Sequence, residues 1–399
     1  MEIFKAYAES YPAELDQSVV GLCLVGKRWN AVANSTPQLW TNINISFPFT
    51  GDHLDAALKR VRASGLQKLD VFINFCDPDW DGREPEYDDG YIPGGHAWVR
   101  DVMAVLGGTE GRWRRIEVAS STWVPLYELM HDWRRLTHLS SLESITMQRM
   151  NTLFGVRNVD FAPELLAGAG TLFDRNASLP KLCNLSLFGV HVDWTSASVC
   201  YQNLHKLEIA SQTHDVGPTF QEFAAMLSSS PRLEFLNVNG FCPEYHTAAP
   251  PGGGPPQIPV VHLPALKVFV FGWKGVDLSC AFLRMFQIGD SLEDLTLLDA
   301  DSCFGSNPDP QTGDQGWRQE SQGIFEVLCE LGSAVPGDGG DMSPGPFISM
   351  RGVKSLRIVW TRTARYSLIP FFATLTNLEE LYLENVGGGA VEDVVLAHQ

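Results

Sequence analysis

Aliphatic residues recur along most of this chain in the spacing LxxLxL. Seven segments align on that core, and they start at Leu182, Leu204, Leu233, Leu266, Leu292, Val353 and Leu378. Weaker copies start at Trp40, Leu66, Trp113 and Leu142. Residues two apart in a short strand face the same side. The last two aliphatic residues of each copy are therefore predicted to enter a core, and the residue between them to point outward.

Helical patterns alternate with these predicted strands. They cover residues 52–64, 97–107, 218–230 and 321–332. One strand and one helix alone cannot bury their apolar faces, but stacked copies share one core. The repeat therefore predicts an α/β fold, namely a leucine-rich-repeat solenoid with a curved parallel sheet and outer helices.

Three insertions interrupt the pattern, near residues 77–95, 243–259 and 302–347. They are rich in Pro, Gly and Asp. Such sequence buries too little apolar surface to offset the entropy lost on ordering. We predict surface excursions from an irregular solenoid that spans residues 47–399.

A different pattern precedes the repeats. One apolar face at helical period is formed by Leu22, Val25, Trp29 and Val32. Asp16 stands at the position of an N-cap, and Pro37 disfavours the α region for Thr36. The spacing predicts a helix from about Gln17 to about Asn34.

Residues 23–40, CLVGKRWNAVANSTPQLW, resemble the second half of the F-box in a large family of fungal proteins. Residues 2–4, EIF, resemble the end of the first F-box helix, and Gly26 stands where the family usually has Cys. The Leu-Pro-x-Glu opening of the motif is absent. We therefore expect residues 1–46 to form an F-box-like helical module that begins inside the motif.

The resemblance implies a substrate-recognition subunit of an SCF-type ubiquitin ligase, which docks on a Skp-type adaptor within a cullin complex. The implied adaptor contacts are Ile3, Phe4, Leu22, Val25, Trp29, Leu39 and Trp40. Such a subunit is not an enzyme, because proximity within the complex supplies the catalysis. The alternative is a leucine-rich-repeat scaffold that binds proteins without ligase association.

The predicted outward positions of the strands are candidates for binding a target protein. They combine polar and aromatic side chains, which suits a protein-binding surface. The candidates are Ser186, Phe188, Glu208, Asn237, Asn239, Arg357, Tyr382 and Glu384.

Composition narrows the choice of partners and compartment. The net charge of −18 disfavours nucleic acid, whose phosphates attract Lys and Arg, and favours a basic or neutral protein. Eight scattered cysteines without a CxxC pair indicate free thiols in a reducing compartment. No secretory signal and no bilayer-spanning apolar run is evident, so we expect a cytoplasmic or nuclear protein that binds no membrane.

Two short motifs have the spacing of known chemical sites. Asp77, Asp79, Asp81 and Gly82 have the spacing of a calcium loop, but Pro85 and Asp88 depart from it, so an acidic loop is the preferred interpretation. Ser178 and Lys181 form an isolated Ser-x-x-Lys. We therefore expect no catalytic residue, metal or cofactor.

Overall fold

The computed structural model describes residues 21, 23–80, 97–150, 160–168, 170–173, 176–243, 258–300, 315–333, 346–361, 368–386 and 390–397. The fold is α/β with parallel strands. The chain divides into two compact units. The first comprises Met1–Asn151 and Gly170–Cys183, and the second comprises Thr152–Ala169 and Asn184–Gln399. The predicted boundary after residue 46 lies inside the first unit.

The first unit alternates helices with parallel strands. Its helices are α1 (Lys27–Asn34), α2 (Gly51–Ala63), α3 (Ala97–Leu106) and α4 (Trp123–Trp133), with 3-10 turns at Pro37–Trp40 and Glu110–Arg112. Its strands are β1 (Asn42–Ser46), β2 (Leu69–Phe75), β3 (Trp113–Ser120) and β4 (Ser144–Arg149). They pair in the order β1-β2-β3-β4, each parallel to the next.

The second unit repeats the same plan with more strands. Its main strands are β5 (Asn184–Phe188), β6 (Lys206–Ala210), β7 (Phe235–Asn239), β9 (Val268–Trp273), β11 (Asp294–Asp299), β13 (Ser355–Val359) and β14 (Glu380–Glu384). They pair in that order, and every pairing is parallel. Each of these strands begins two residues after the LxxLxL start that predicted it.

Three very short strands form a second parallel sheet in this unit. They are β8 (Val261–His262), β10 (Phe286–Ile288) and β12 (Phe347–Ile348), and β10 is the middle strand. The helices of the unit are α5 (Trp194–Cys200), α6 (Phe220–Ser228), α7 (Val276–Leu283), α8 (Gln315–Ser333), α9 (Ile369–Thr374) and α10 (Ala390–Ala397). A 3-10 turn lies at Glu164–Leu166.

Aliphatic and aromatic side chains at matching strand positions form the core, as the repeat spacing predicts. In the first unit Ile43, Val71, Ile116 and Ile145 occupy one register row and are almost fully buried. In the second unit one such row consists of Leu185, Leu207, Leu236, Phe269, Leu295, Leu356 and Leu381. Leu66 departs from the pattern: it lies in the turn after α2 and is 93% exposed.

The predicted helices between strands correspond to α2, α3, α6 and α8. Local chemistry explains where α6 begins. Thr219 and Glu222 form a reciprocal capping box, in which the Thr219 hydroxyl accepts the Glu222 N–H and the Glu222 carboxylate accepts the Thr219 N–H. Two of the unpaired N–H groups at the helix start are thereby satisfied.

The prediction of one helix from Gln17 to Asn34 is wrong at Gly26. Gly21 and residues 23–25 are helical, but Gly26 is fully extended, with φ 169° and ψ 166°, and α1 begins after it. Glycine loses more backbone freedom than other residues when held in a helix, so a break is favoured there. The predicted end at Asn34 is confirmed, whereas Asp16 lies outside the described residues.

Most of the three predicted insertions lies outside the described residues, including Asp81, Gly82, Pro85 and Asp88 of the calcium-like segment. Within the described part of the chain, no helix is both long enough and apolar enough to cross a bilayer.

The alternation of buried and outward residues on β11 predicts that substitutions at two neighbouring positions differ sharply in their effect on stability. Leu295 is 1% exposed and Thr296 lies half-buried on the other face. We expect Leu295→Ala to lower the free energy of unfolding by about 2–5 kcal/mol, because it removes buried methyl groups and leaves a cavity. Thr296→Ala is the matched control and should change it by well under half that amount. Urea unfolding followed by circular dichroism measures both, and equal losses would contradict the assigned faces.

Candidate protein-binding face

The outward side chains of the second unit form two rows across the strands. We call one the middle row, and its members in strand order are Ser186, Glu208, Asn237, Val270, Thr296, Arg357 and Tyr382. The other, two residues further along each strand, is the carboxyl-end row: Phe188, Ala210, Asn239, Gly272, Leu298, Val359 and Glu384. All eight predicted target-binding residues belong to these rows.

Glu208 is the centre of a hydrogen-bond network in the middle row. Its carboxylate accepts the Ser186 hydroxyl at 2.7 Å and the Asn237 amide at 3.3 Å, and it pairs with the Lys206 ammonium at 2.9 Å. Burial raises the pKa of the Glu208 carboxyl, but these three donors together outweigh burial and hold the pKa below its ordinary value. The carboxylate is thus a fixed negative charge on the face.

Ser186 corrects one sequence-based expectation. It lies on the outward side of β5, but it is 5% exposed and gives its hydroxyl to Glu208. A partner therefore cannot reach it directly, and its role is to orient the Glu208 carboxylate.

Arg357, Tyr382 and Glu384 form a second, more open polar group. The Arg357 guanidinium lies 2.7 Å from the Glu384 carboxylate, and both side chains are about half exposed. The Tyr382 hydroxyl donates to Glu380 at 3.1 Å, and this hydrogen bond raises the pKa of Tyr382. Uncharged Val270 and Thr296 separate this group from Glu208. The arrangement offers charged and aromatic contacts suited to binding a protein.

Sequence reasoning missed two residues that shape this face. Lys206 binds Glu208 and lies 4.8 Å from the centre of the Phe235 ring. The period of two in the segment Lys-Leu-Glu was the signal that could have found it. Gly272 makes room for Asn239, since a Cβ at Gly272 would lie 2.1 Å from the Asn239 amide oxygen. That requirement depends on strand pairing and has no local sequence signal.

The implied adaptor contacts divide into exposed and buried residues. Val25 and Trp29 are 66% and 42% exposed, and the neighbouring Leu24, which was not predicted, is 80% exposed. Leu39 is buried against Ala33, so it holds the 3-10 turn at Pro37–Trp40 against α1. Ile3, Phe4 and Leu22 lie outside the described residues.

Trp40 joins the helical segment to the first strand. Its indole N–H donates to the carbonyl of Ala33 at 2.8 Å, and its ring lies 6.0 Å from the Arg60 guanidinium carbon of α2. The half-buried ring thus links the end of α1 to α2.

One cluster of possible metal ligands occurs among the described residues. Ligand atoms of Asp160, His214 and Asp215 lie within 4.8 Å of one another, and all three residues are exposed. Asp215 accepts the Phe161 N–H, and the His214 ring lies 3.4 Å from Asp160. These contacts explain the cluster without an ion. The distance along the sequence between Asp160 and His214 hides it from motif reading.

Comparison with known proteins adds no relative. The chain matches no protein-family model, and no curated protein sequence is significantly similar to it.

The Glu208 network predicts a pH-dependent stability. Because the folded pKa lies below the ordinary value of 4.5, the carboxylate stabilises the fold above that pH, and the contribution is lost as pH falls through the folded pKa. We expect Glu208→Gln to be less stable than wild type at neutral pH, with a difference that shrinks in acid. Urea unfolding at several values between about pH 3 and pH 7, a range that spans the ordinary pKa of glutamate, measures this difference.

The control for this measurement is Glu117→Gln on β3, which removes an outward carboxylate that pairs with Arg115 at 2.8 Å. A variant at Glu208 that matched wild type at neutral pH would show that the network does not stabilise the fold.

Proposed function

We propose that this protein is the substrate-recognition subunit of an SCF-type ubiquitin ligase. In this proposal the parallel strands form a curved leucine-rich-repeat solenoid with outer helices, and an F-box-like module precedes it. The observation that carries the proposal is the alignment of two outward rows, which include charged, polar and aromatic side chains, above a continuous apolar core. A surface of this kind binds another protein by many contacts from a rigid sheet.

The exposed apolar residues at the start of the described chain support the adaptor half of the proposal. Leu24, Val25 and Trp29 expose large apolar side chains next to a segment that Leu39 and Trp40 anchor. Exposed large apolar side chains close together are typical of a docking site. The adaptor would bind here and the target on the outward rows.

Catalysis in this proposal belongs to the assembled complex. A target held on the outward rows is brought near a cullin-bound ubiquitin-conjugating enzyme, and its high effective concentration accelerates transfer. The residues of this chain bind and orient the target and take no part in bond formation.

The second candidate is a repeat scaffold that binds proteins without ligase association. The extended backbone at Gly26 favours it, because the break divides the apolar stripe predicted for one continuous helix. Both candidate functions use the outward rows to bind a protein, but only the first includes binding to an adaptor.

The adaptor half is tested by binding to a purified Skp-type adaptor. We expect the wild-type chain to form a complex, and the double variant Val25→Asp, Trp29→Ala to lose about tenfold or more in affinity because central aromatic and aliphatic contacts dominate such interfaces. Isothermal titration calorimetry measures the affinity. Leu66→Asp is the control, since Leu66 is equally apolar and 93% exposed in the same unit.

An absence of complex with the wild-type chain at micromolar concentration would reject the ligase proposal and leave the scaffold. Equal losses for the double variant and the control would reject the assigned docking residues.

The target half is tested by exchanging an ion pair. The double variant Arg357→Glu, Glu384→Arg keeps both charges but reverses their order on the face. We expect unchanged thermal stability and loss of the specific partners, because complementary charges fix which partner binds. Quantitative mass spectrometry after affinity purification compares it with wild type. The matched control exchanges Lys68 and Glu143, an ion pair at 2.7 Å in the first unit, and should keep the partners.

A further inference from the structure

The last strand of the second unit has an open edge. β14 pairs with β13 on one side, and no described strand lies on its other side. Leu356 and Ile358 of β13 are 0% exposed, whereas their counterparts Leu381 and Leu383 of β14 are only half-buried. Leu381 and Leu383 thus lack the second neighbouring strand that the core residues in the middle of this unit have.

The backbone of β14 presents unused hydrogen-bonding groups at this edge. Glu380 donates its N–H to the Lys354 carbonyl at 2.9 Å, and the Glu384 carbonyl accepts the Trp360 N–H at 2.8 Å. In a parallel strand alternate residues bond to opposite neighbours. The N–H and C=O groups of Leu381 and Leu383 therefore point away from β13, in the direction that an added strand would occupy.

A column of alternating charge crosses the strands one residue before each begins. Its members, in strand order from β7 to β14, are Glu234, Lys267, Glu293, Lys354 and Glu379. Lys267 lies 2.9 Å from Glu234, and Lys354 lies 3.4 Å from Glu293. Each backbone carbonyl of the column accepts the N–H of the next member, for example Glu379 N to Lys354 O at 2.7 Å.

Glu379 ends this column. Within the described residues neither an ion pair nor a hydrogen bond engages its carboxylate, and no N–H bonds to its carbonyl. The alternation leaves a position for a cation on the next strand. Glu380 of β14 is exposed and adds negative charge beside Glu379.

We propose that the open edge of β14 binds an extended basic segment of another protein as an added parallel strand. A Lys or Arg one residue before that strand pairs with Glu379, and two aliphatic residues at alternate positions cover Leu381 and Leu383. Main-chain hydrogen bonds supply affinity in this mode, and the side chains at defined positions supply specificity. The site uses the strand edge and the charge column, adjoins the outward rows where they end at Tyr382 and Glu384, and does not depend on adaptor docking.

The chain itself provides a probe. Residues 353–359, VKSLRIV, have Lys354 in the column, followed by Leu356 and Ile358 at the core positions. A fluorescein-labelled peptide of this sequence, and the same peptide with Lys354→Glu, are titrated against the full chain by fluorescence anisotropy. We expect the lysine peptide to bind about three- to fivefold more tightly, as for a partly exposed ion pair.

Substitutions at Glu379 of the full chain test whether its carboxylate causes the preference between the two peptides. Glu379→Lys should reverse the preference between the two peptides, and Glu379→Gln should abolish it. Glu330→Lys on α8 changes the net charge equally at an exposed site of the same unit and should leave the preference unchanged. Hydrogen exchange should slow at the amides of Leu381 and Leu383 when the lysine peptide is bound.

The proposal is overturned if neither peptide binds, if Glu379→Lys leaves the preference as it was, or if the β14 amides gain no protection. It is also overturned if sedimentation shows that the chain alone dimerises and that Glu379→Lys abolishes the dimer, because the occupant of the edge would then be a second copy.

Discussion

The structure depends on core side chains that neighbouring strands must share. Each main strand contributes apolar residues to the core, and at the open end of the second unit these are buried less than in the strand beside it. Leu356 and Ile358 of β13 have β11 and β14 beside them and are fully buried, whereas Leu381 and Leu383 at the edge are not. Burial is worth about 25 cal/mol per Å² of apolar surface, so most of each strand's stabilisation comes from its neighbours.

The same register that packs the core arranges the outward face. Parallel strands lie about 4.8 Å apart, so equivalent residues on successive strands are close enough for their side chains to contact one another. Glu208 illustrates the result, since it accepts hydrogen bonds from Ser186 on one neighbouring strand and Asn237 on the other. Its carboxylate is preorganised and costs little conformational entropy to present to a partner.

The hydrogen bonds that preorganise one side chain can also make another inaccessible to a partner. Ser186 is covered because it orients Glu208, while Arg357 and Tyr382 remain about half exposed. A residue of the outward rows is therefore available to a partner only where its neighbours across the strands leave it accessible. The open polar group at Arg357, Tyr382 and Glu384 meets that condition better than the network around Glu208.

Much of the strand arrangement could be predicted because it follows from a repeat of period two within each copy. The starts at Leu182, Leu204 and Leu233 each precede a strand by two residues, and the strands pair in the register that this alignment implies. Strands β8, β10 and β12 could not be predicted, because two or three residues are too few to display a period. The extended backbone at Gly26 and the room that Gly272 leaves for Asn239 depend on local entropy and on neighbouring strands, which aliphatic spacing does not report.

Aliphatic spacing alone also leaves the order of strands poorly specified, because one leucine-lined strand fits beside another almost equally well. The charge column distinguishes the arrangements. Lys267 stands between Glu234 and Glu293, and any exchange that brought those two glutamates together would replace attraction by repulsion. Each exposed pair contributes only about 0.2–1 kcal/mol. The two pairs of the column, Lys267 with Glu234 and Lys354 with Glu293, therefore favour the observed neighbours by a small amount, in addition to the short connections that already place successive strands side by side.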